Sequence, residues 1–260
     1  MFDIRRIRTI IAYDGTDYVG WQTQNNGVAV QEVVEKAILE VTGERVSLQG
    51  SGRTDSGVHA RAQAAHFDTS ARMAADKFAI ALNTHLPADI RVLYSEETSP
   101  DFHARFSAKE KQYRYFVQTG PHADVFARKY SLHAYMPLDV DRMNQAAALV
   151  VGTHDFSAFM STGREVESAV RTVSLSRWEK QGKFLVYTVQ GNGFLYNMVR
   201  ILAGTMVGMG SGRIPADSME KALSSLSRKD AGPTAPPHGL VLWRVKYPDF
   251  DTEEVLSREP

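Results

Sequence analysis

The chain contains no cysteine among its 260 residues. Disulfides, zinc–thiolate sites, iron–sulfur clusters and cysteine nucleophiles are thereby excluded. That composition is compatible with a reducing compartment. Net charge is absent too, because 30 basic side chains balance 30 acidic ones. A histone-like or polybasic partner-binder is ruled out, though a locally basic surface is not. No apolar run approaches the roughly 18–20 residues that cross a bilayer, so no membrane association is expected. In the opening thirteen residues, Arg5, Arg6 and Arg8 interrupt the isoleucines. No signal peptide is read there, and the expected location is the cytoplasm. Metal spacing is missing as well. The eight histidines form neither HExxH nor HxH, and His59 and His66, seven apart along a strand, do not suit one ion.

What is present is an ordinary globular composition, 43% hydrophobic and 23% charged, with length for one or two domains. The zero charge hides an asymmetry. Residues 1–105 carry eleven basic and fourteen acidic side chains, a net of −3. Residues 106–246 carry eighteen and eleven, a net of +7, and residues 247–260 carry one and five, a net of −4. Within residues 102–130, Arg105, Lys109, Lys111, Arg114, Arg128 and Lys129 interleave with Phe102, Phe106, Tyr113, Tyr115, Phe116, Phe126 and Tyr130. Phosphates need cations and bases need flat faces, and this stretch offers both. A merely solvated surface is the competing reading.

Hydrophobic periodicity predicts strands over 4–13, 45–49, 61–68 and 90–95, with helices over 30–41 and 76–85. That order, β-α-β-β-α-β, is ferredoxin-like. The second half repeats it loosely. Strands are predicted over 111–119, 170–178, 184–190 and 240–247, and helices over 139–151, 194–209 and 217–226. The fold class is therefore α+β: two ferredoxin-like, RRM-like units sharing an extended, mostly antiparallel sheet, with helices on one side and a cleft between the units. The expected domains are 1–104, bearing the loop described next, and 105–248, bearing the basic face. A polar, frayed acidic tail is expected over 249–260.

Residues 50–60 read Gly-Ser-Gly-Arg-Thr-Asp-Ser-Gly-Val-His-Ala. Two phosphate motifs fail here. A Walker loop needs Lys-Ser/Thr after Gly57, where Val58-His59 stands, and a dinucleotide fingerprint needs glycine where Asp55 stands. Phosphotransfer is disfavoured accordingly. Two readings remain for the Arg53-Thr54-Asp55 triplet. One is an Asx-type turn with a solvated arginine. The other is a single carboxylate presented by a glycine-shaped loop, which suits nucleophilic or single-base chemistry. In the apolar helix predicted over 194–209, Arg200 is the only charged residue. It must either snorkel to solvent or meet a carboxylate, and Asp55 is a candidate partner. Tyr113 and Tyr115 share one face of a strand, as sheet core or as a platform for a base.

Taken in order, several blocks resemble one family. Tyr13-Asp14-Gly15 and Gly20-Trp21-Gln22 open the series, followed by residues 52–60, Leu82-Asn83 and residues 86–90. Residues 102–108 with 111–115, residues 154–159, 193–200 and 235–240 complete it. Over residues 7–247 the chain is similar to the bacterial tRNA pseudouridine synthase A (TruA) family. Ser56 stands where alanine is common in that family.

The resemblance implies the pseudouridine synthase fold and an isomerase that converts uridines at about positions 38–40, in the tRNA anticodon stem-loop, after flipping them from the stack. It implies Asp55 as the catalytic residue, Tyr113 stacked on the target base, Arg200 paired with the aspartate, and Arg53 holding the flipped nucleotide. His59, Arg61, Arg105, Lys109, Lys111 and Arg114 are the expected RNA contacts. The family implies tRNA as partner, a homodimer, and no metal or cofactor. The rival reading is a non-catalytic RNA-binding protein of two RRM-like units, but the aromatic-rich RNP1 pattern is not found.

Overall fold

Arg5–Tyr13 forms β1, in which isoleucines at positions 7, 10 and 11 are fully buried. The computed structural model describes residues 4–161 and 166–258. Residues 1–3 of the opening stretch and residues 259–260 of the acidic tail lie outside them. After β1 come α1 (Val30–Thr42), β2 (Gln49–Gly50), β3 (His59–Thr69), α2 (Lys77–Asn83) and β4 (Ile90–Thr98). The next leg contains β5 (Glu110–Thr119), β6 (Leu132–Ala134), α3 (Val140–Val150), β7 (Gly152–Asp155), β8 (Val170–Gln181), β9 (Phe184–Gly191), α4 (Met198–Gly210) and α5 (Ser218–Ser225). Two short 3₁₀ turns, Ser157–Phe159 and Pro237–Gly239, also fall on this leg, and β10 (Leu240–Lys246) and α6 (Thr252–Arg258) end the described chain.

Contacts divide these elements into two units, Met1–Lys109 with Leu242–Pro260, and Glu110–Val241. In the first unit the strand order is β4-β1-β3, with β2 also paired to β3 and β10 beside it. Every registered pair among β1 to β4 is antiparallel. This is the ferredoxin-like order expected from the sequence. In the second unit β5, β9, β8 and β7 are neighbours in that order, all antiparallel, and β6 adds in parallel to β5. The fold is α+β with mostly antiparallel strands.

Three predicted elements differ from the structure. The strand predicted over 45–49 shrinks to Gln49–Gly50. Two side chains of α1 satisfy the backbone that a ladder would otherwise hold. Glu35 accepts the Leu48 N–H at 2.9 Å, while Gln31 donates to the Leu48 carbonyl at 3.1 Å.

The helix predicted over 194–209 begins only at Met198. Asn197 sits in the left-handed region, with φ 61°, and its side chain bonds Ser161 Oγ at 2.8 Å, while the Ser161 N–H bonds the Tyr196 carbonyl at 3.2 Å. These cross-links turn the chain before the helix can start.

The tail is not frayed within the described residues. Asp249 accepts from Arg8 at 3.3 Å, and the Arg8 guanidinium lies 3.8 Å from the Phe250 ring centre. Asp251 accepts from Arg244 Nε at 2.8 and 2.9 Å and also caps α6 through the Glu253 N–H. These are bonds to first-unit residues. The sequence pattern assigns residues 242–248 to the second domain and sets the tail apart, whereas the contacts group all of Leu242–Pro260 with the first unit.

Candidate active site

In the first unit the 50–60 loop is held from several sides. Ser51 donates to Gln63 Oε1 at 2.5 Å, and Gln63 returns a bond to the Gly52 carbonyl at 2.7 Å. The Tyr13 hydroxyl bonds Thr54 Oγ1 at 2.7 Å in a fully buried setting. Burial raises the Tyr13 phenol far above its ordinary pKa, so it stays a neutral bonding group. The Trp21 N–H reaches the Thr54 carbonyl at 3.2 Å, and both Ser56 Oγ and the Gly57 N–H reach the Tyr18 carbonyl, at 3.2 and 3.3 Å. Gly20 allows this approach. Its φ is +111°, and a Cβ there would lie 2.4 Å from the Thr54 carbonyl oxygen. The Val58 N–H closes the turn onto the Asp55 carbonyl at 3.1 Å. Arg53 is exposed and Asp55 half-buried at the loop's tip. The turn at Asp55 is thus closed through its main-chain carbonyl, within a segment held from both sides.

His59, expected to touch RNA, is instead buried, with 3% of its surface exposed. Its Nδ1 lies 3.0 Å from the Gly15 amide, which donates to it, and 3.1 Å from Asp14 Oδ1. Its environment is that of a scaffold residue anchoring the loop's exit, because a side chain so enclosed has no face left for a nucleic acid. Arg61 is half-buried with its guanidinium 4.9 Å from the Trp243 ring centre. Arg105 and Lys109 are exposed.

In the second unit Tyr113 and Tyr115 lie on one face of β5, as the strand period requires. Tyr115 is fully buried, donates to the Pro236 carbonyl at 2.9 Å, and has its phenol pKa raised by burial. It is core. Tyr113 retains 7% exposure, and the Phe194 ring meets it edge-on at 5.3 Å. Lys111 and Arg114 are half-buried on the same strand.

Arg200 sits in the first turn of α4. Its Nε donates to the Ala235 carbonyl at 2.8 Å and its Nη1 to Asn197 Oδ1 at 2.7 Å. The Ala235 N–H in turn bonds the Arg200 carbonyl at 3.0 Å. Close approach here depends on Gly204, where a Cβ would fall 1.9 Å from the Pro233 carbonyl oxygen. The guanidinium therefore fastens the 233–236 segment to the helix.

The structure gathers Arg53 and Asp55 on one loop of the first unit, and Tyr113 and Arg200 within the second. The pattern gave no sign of Tyr13, Trp21 and Gln63 as loop supports, although Tyr13 and Trp21 fall within the opening blocks. Among the described residues no group of three His, Asp or Glu side chains could hold a metal ion, and no helix is long and apolar enough to cross a membrane.

Comparison with known proteins agrees with the sequence resemblance. The sequence model of a family described as tRNA pseudouridine synthase matches residues 9–107 and 146–248. A tRNA pseudouridine synthase A of Halalkalibacterium halodurans is 48% identical over 258 residues, covering 99% of this chain and 98% of that protein. The corresponding protein of Brevibacillus brevis is 47% identical, covering 94% and 100%. That of Acetivibrio thermocellus is 45% identical, with the same coverage.

Proposed function

Since the chain belongs to the tRNA pseudouridine synthase family, whose members are isomerases, we propose that it converts uridines at about positions 38–40 of the tRNA anticodon stem-loop, flipping each from the stack before reaction. The observation that supports this best is the 50–60 loop. It is shaped by neutral bonds to Thr54, Gly52, Ser56 and Gly57, and it carries Asp55 and the exposed Arg53 on one rigid tip.

Isomerisation breaks the N1–C1′ bond, turns the uracil and joins C5 to C1′. The C5 proton is lost and N1 gains one, so atoms balance without oxidant or water. Asp55 begins the sequence, either by attacking C1′ or by removing a sugar proton to give a glycal. Arg53 steadies the flipped nucleotide through its phosphate. Tyr113 stacks on the target base, the role its position beside Phe194 suits. Arg200 stands at the position that the family resemblance assigns to the arginine serving the catalytic aspartate. Arg61, Arg105, Lys109, Lys111 and Arg114 supply positive charge to the RNA backbone. The enzyme works without metal or cofactor, as a homodimer in the cytoplasm.

The test is release of tritium from tRNA labelled at uridine C5, with no added metal. Wild-type protein releases it, and Asp55→Ala abolishes release while still binding tRNA. Wild-type protein that binds tRNA and releases none would instead identify a non-catalytic RNA-binding protein.

A further inference from the structure

Phe106 is 75% exposed, yet it is not on a loose loop. The turn beneath it is built around two imidazoles. His66, buried on β3, accepts the Ala104 N–H on Nδ1 at 3.1 Å. His103 accepts the Arg105 N–H at 3.1 Å and the Phe106 N–H at 3.4 Å on its own Nδ1. Ser107 closes the turn twice, accepting the His103 N–H at 3.0 Å and donating its own to the His103 carbonyl at 2.9 Å. The rings then follow one another outward from the core through an edge-on and a tilted contact. His66 meets His103 at 4.9 Å, and His103 meets Phe106 at 4.3 Å with 37° between planes. A rotamer-limited aromatic ring is thus braced from behind and held out into water. Such placement forgoes the stabilisation that burying a phenylalanine contributes.

The charges around the ring identify its occupant. Arg105 is exposed with its guanidinium 5.6 Å from the Phe106 ring centre, and Lys109, also exposed, follows on the same segment. A flat apolar face with one exposed cation against it and a second three residues further along the chain fits a nucleobase with its phosphates better than an apolar protein surface, which would have to desolvate the charges. We propose that Phe106 is a second stacking platform, for a base of the bound RNA other than the target uridine, with Arg105 and Lys109 on the flanking phosphates. The proposal rests on RNA being the substrate. The platform contributes binding and leaves the chemical step alone, so its loss acts on KM and Kd.

Tritium release and tRNA binding by F106A, F106Y, F106L and F106W test this. F106A raises Kd and KM for tRNA between about fivefold and a hundredfold, the range measured for loss of a base–aromatic stack, with kcat unchanged. F106Y keeps both within about twofold of wild type, and F106L behaves as F106A does, since stacking requires a ring. The F106A deficit stays constant between about 50 and 200 mM salt, whereas R105A flattens the salt slope. In F106W, emission beyond that of the three native tryptophans is quenched by tRNA.

Wild-type affinity in F106A overturns the platform while leaving the enzyme reading intact. Full rescue by F106L overturns it in favour of simple apolar packing. A changed sedimentation coefficient in F106A with unchanged RNA affinity overturns it in favour of contact with a second copy of the chain. Wild-type protein that neither binds tRNA nor releases tritium removes both readings together.

Discussion

The loop that carries Asp55 and the helix start that carries Arg200 hold their charged residues by opposite means. Around Asp55 the shape comes from neutral groups, with the Tyr13 hydroxyl and the Trp21 N–H bonding Thr54, the Gln63 amide bonding Gly52, and the Tyr18 carbonyl accepting from Ser56 and Gly57. Around Arg200 the charged side chain is itself the fastening, through Ala235 and Asn197. Charge and shape are therefore separable at position 55 and joined at position 200. A substitution at the first site reports on chemistry; one at the second reports on chemistry and architecture together.

The sharpest way to break that comparison is Asp55→Asn. Tritium release should fall by about a thousandfold or more, while the melting temperature stays within about 2 °C, because the loop bonds from Tyr13, Gln63 and Tyr18 survive. Unfolding of this variant would show that the carboxylate is structural after all.

Acid next strikes a different neutral support of the first unit, the imidazole that accepts the Ala104 N–H, and spares the Arg200 guanidinium. Burial, aided by the nearby Arg6 and His103 and opposed by Asp68, lowers the His66 pKa to about 4 from its ordinary 6.5. The folded state thus favours neutral His66. Its contribution is complete above pH 6.5 and is lost as pH falls from there toward 4, on the order of 3 kcal/mol in all. Urea titrations at pH 7 and pH 4.5 should reveal the loss, and His66→Gln should flatten it.

A smaller effect is expected from Arg200→Ala. Leaving the Ala235 carbonyl without its donor costs about 1–3 kcal/mol, on top of any catalytic loss, and Arg200→Lys restores only part because lysine lacks the planar fork. An unaltered melting temperature would make position 200 as separable as position 55. Smallest of all is Tyr115→Phe, at about 1 kcal/mol for the bond to Pro236, with tritium release per folded molecule unchanged.

Much of this was readable in the sequence because periodicity and breakers report directly on local structure. The valines of α1 and its stop at Gly43, and the alternation in β5, belong to that class. The triplet Arg53-Thr54-Asp55 was legible as a presented loop because glycines and turn formers flank it. The 45–49 segment was not, since Glu35 takes over backbone bonds from a helix thirteen residues earlier. The burial of His59 was not legible either, because a histidine symbol carries no burial, and the contacts with Asp14 and Gly15 appear only in the fold. The ordered tail was hidden for the same reason. Arg8 and Asp249 are 241 residues apart, and no local pattern links them.

That long-range tie has a consequence for synthesis on the ribosome. Residues 110–241 form one continuous unit, complete as soon as they have emerged. The first unit is discontinuous, and β10 and the Arg244–Asp251 pair arrive only after residue 241. A chain growing at about 5–20 residues per second holds its Asp55-bearing half unfinished while the inserted unit folds. The exposed edge of β3 awaits its partner for that interval, and pulse-labelled nascent chains should resist protease first over residues 110–241 and last over the amino-terminal unit.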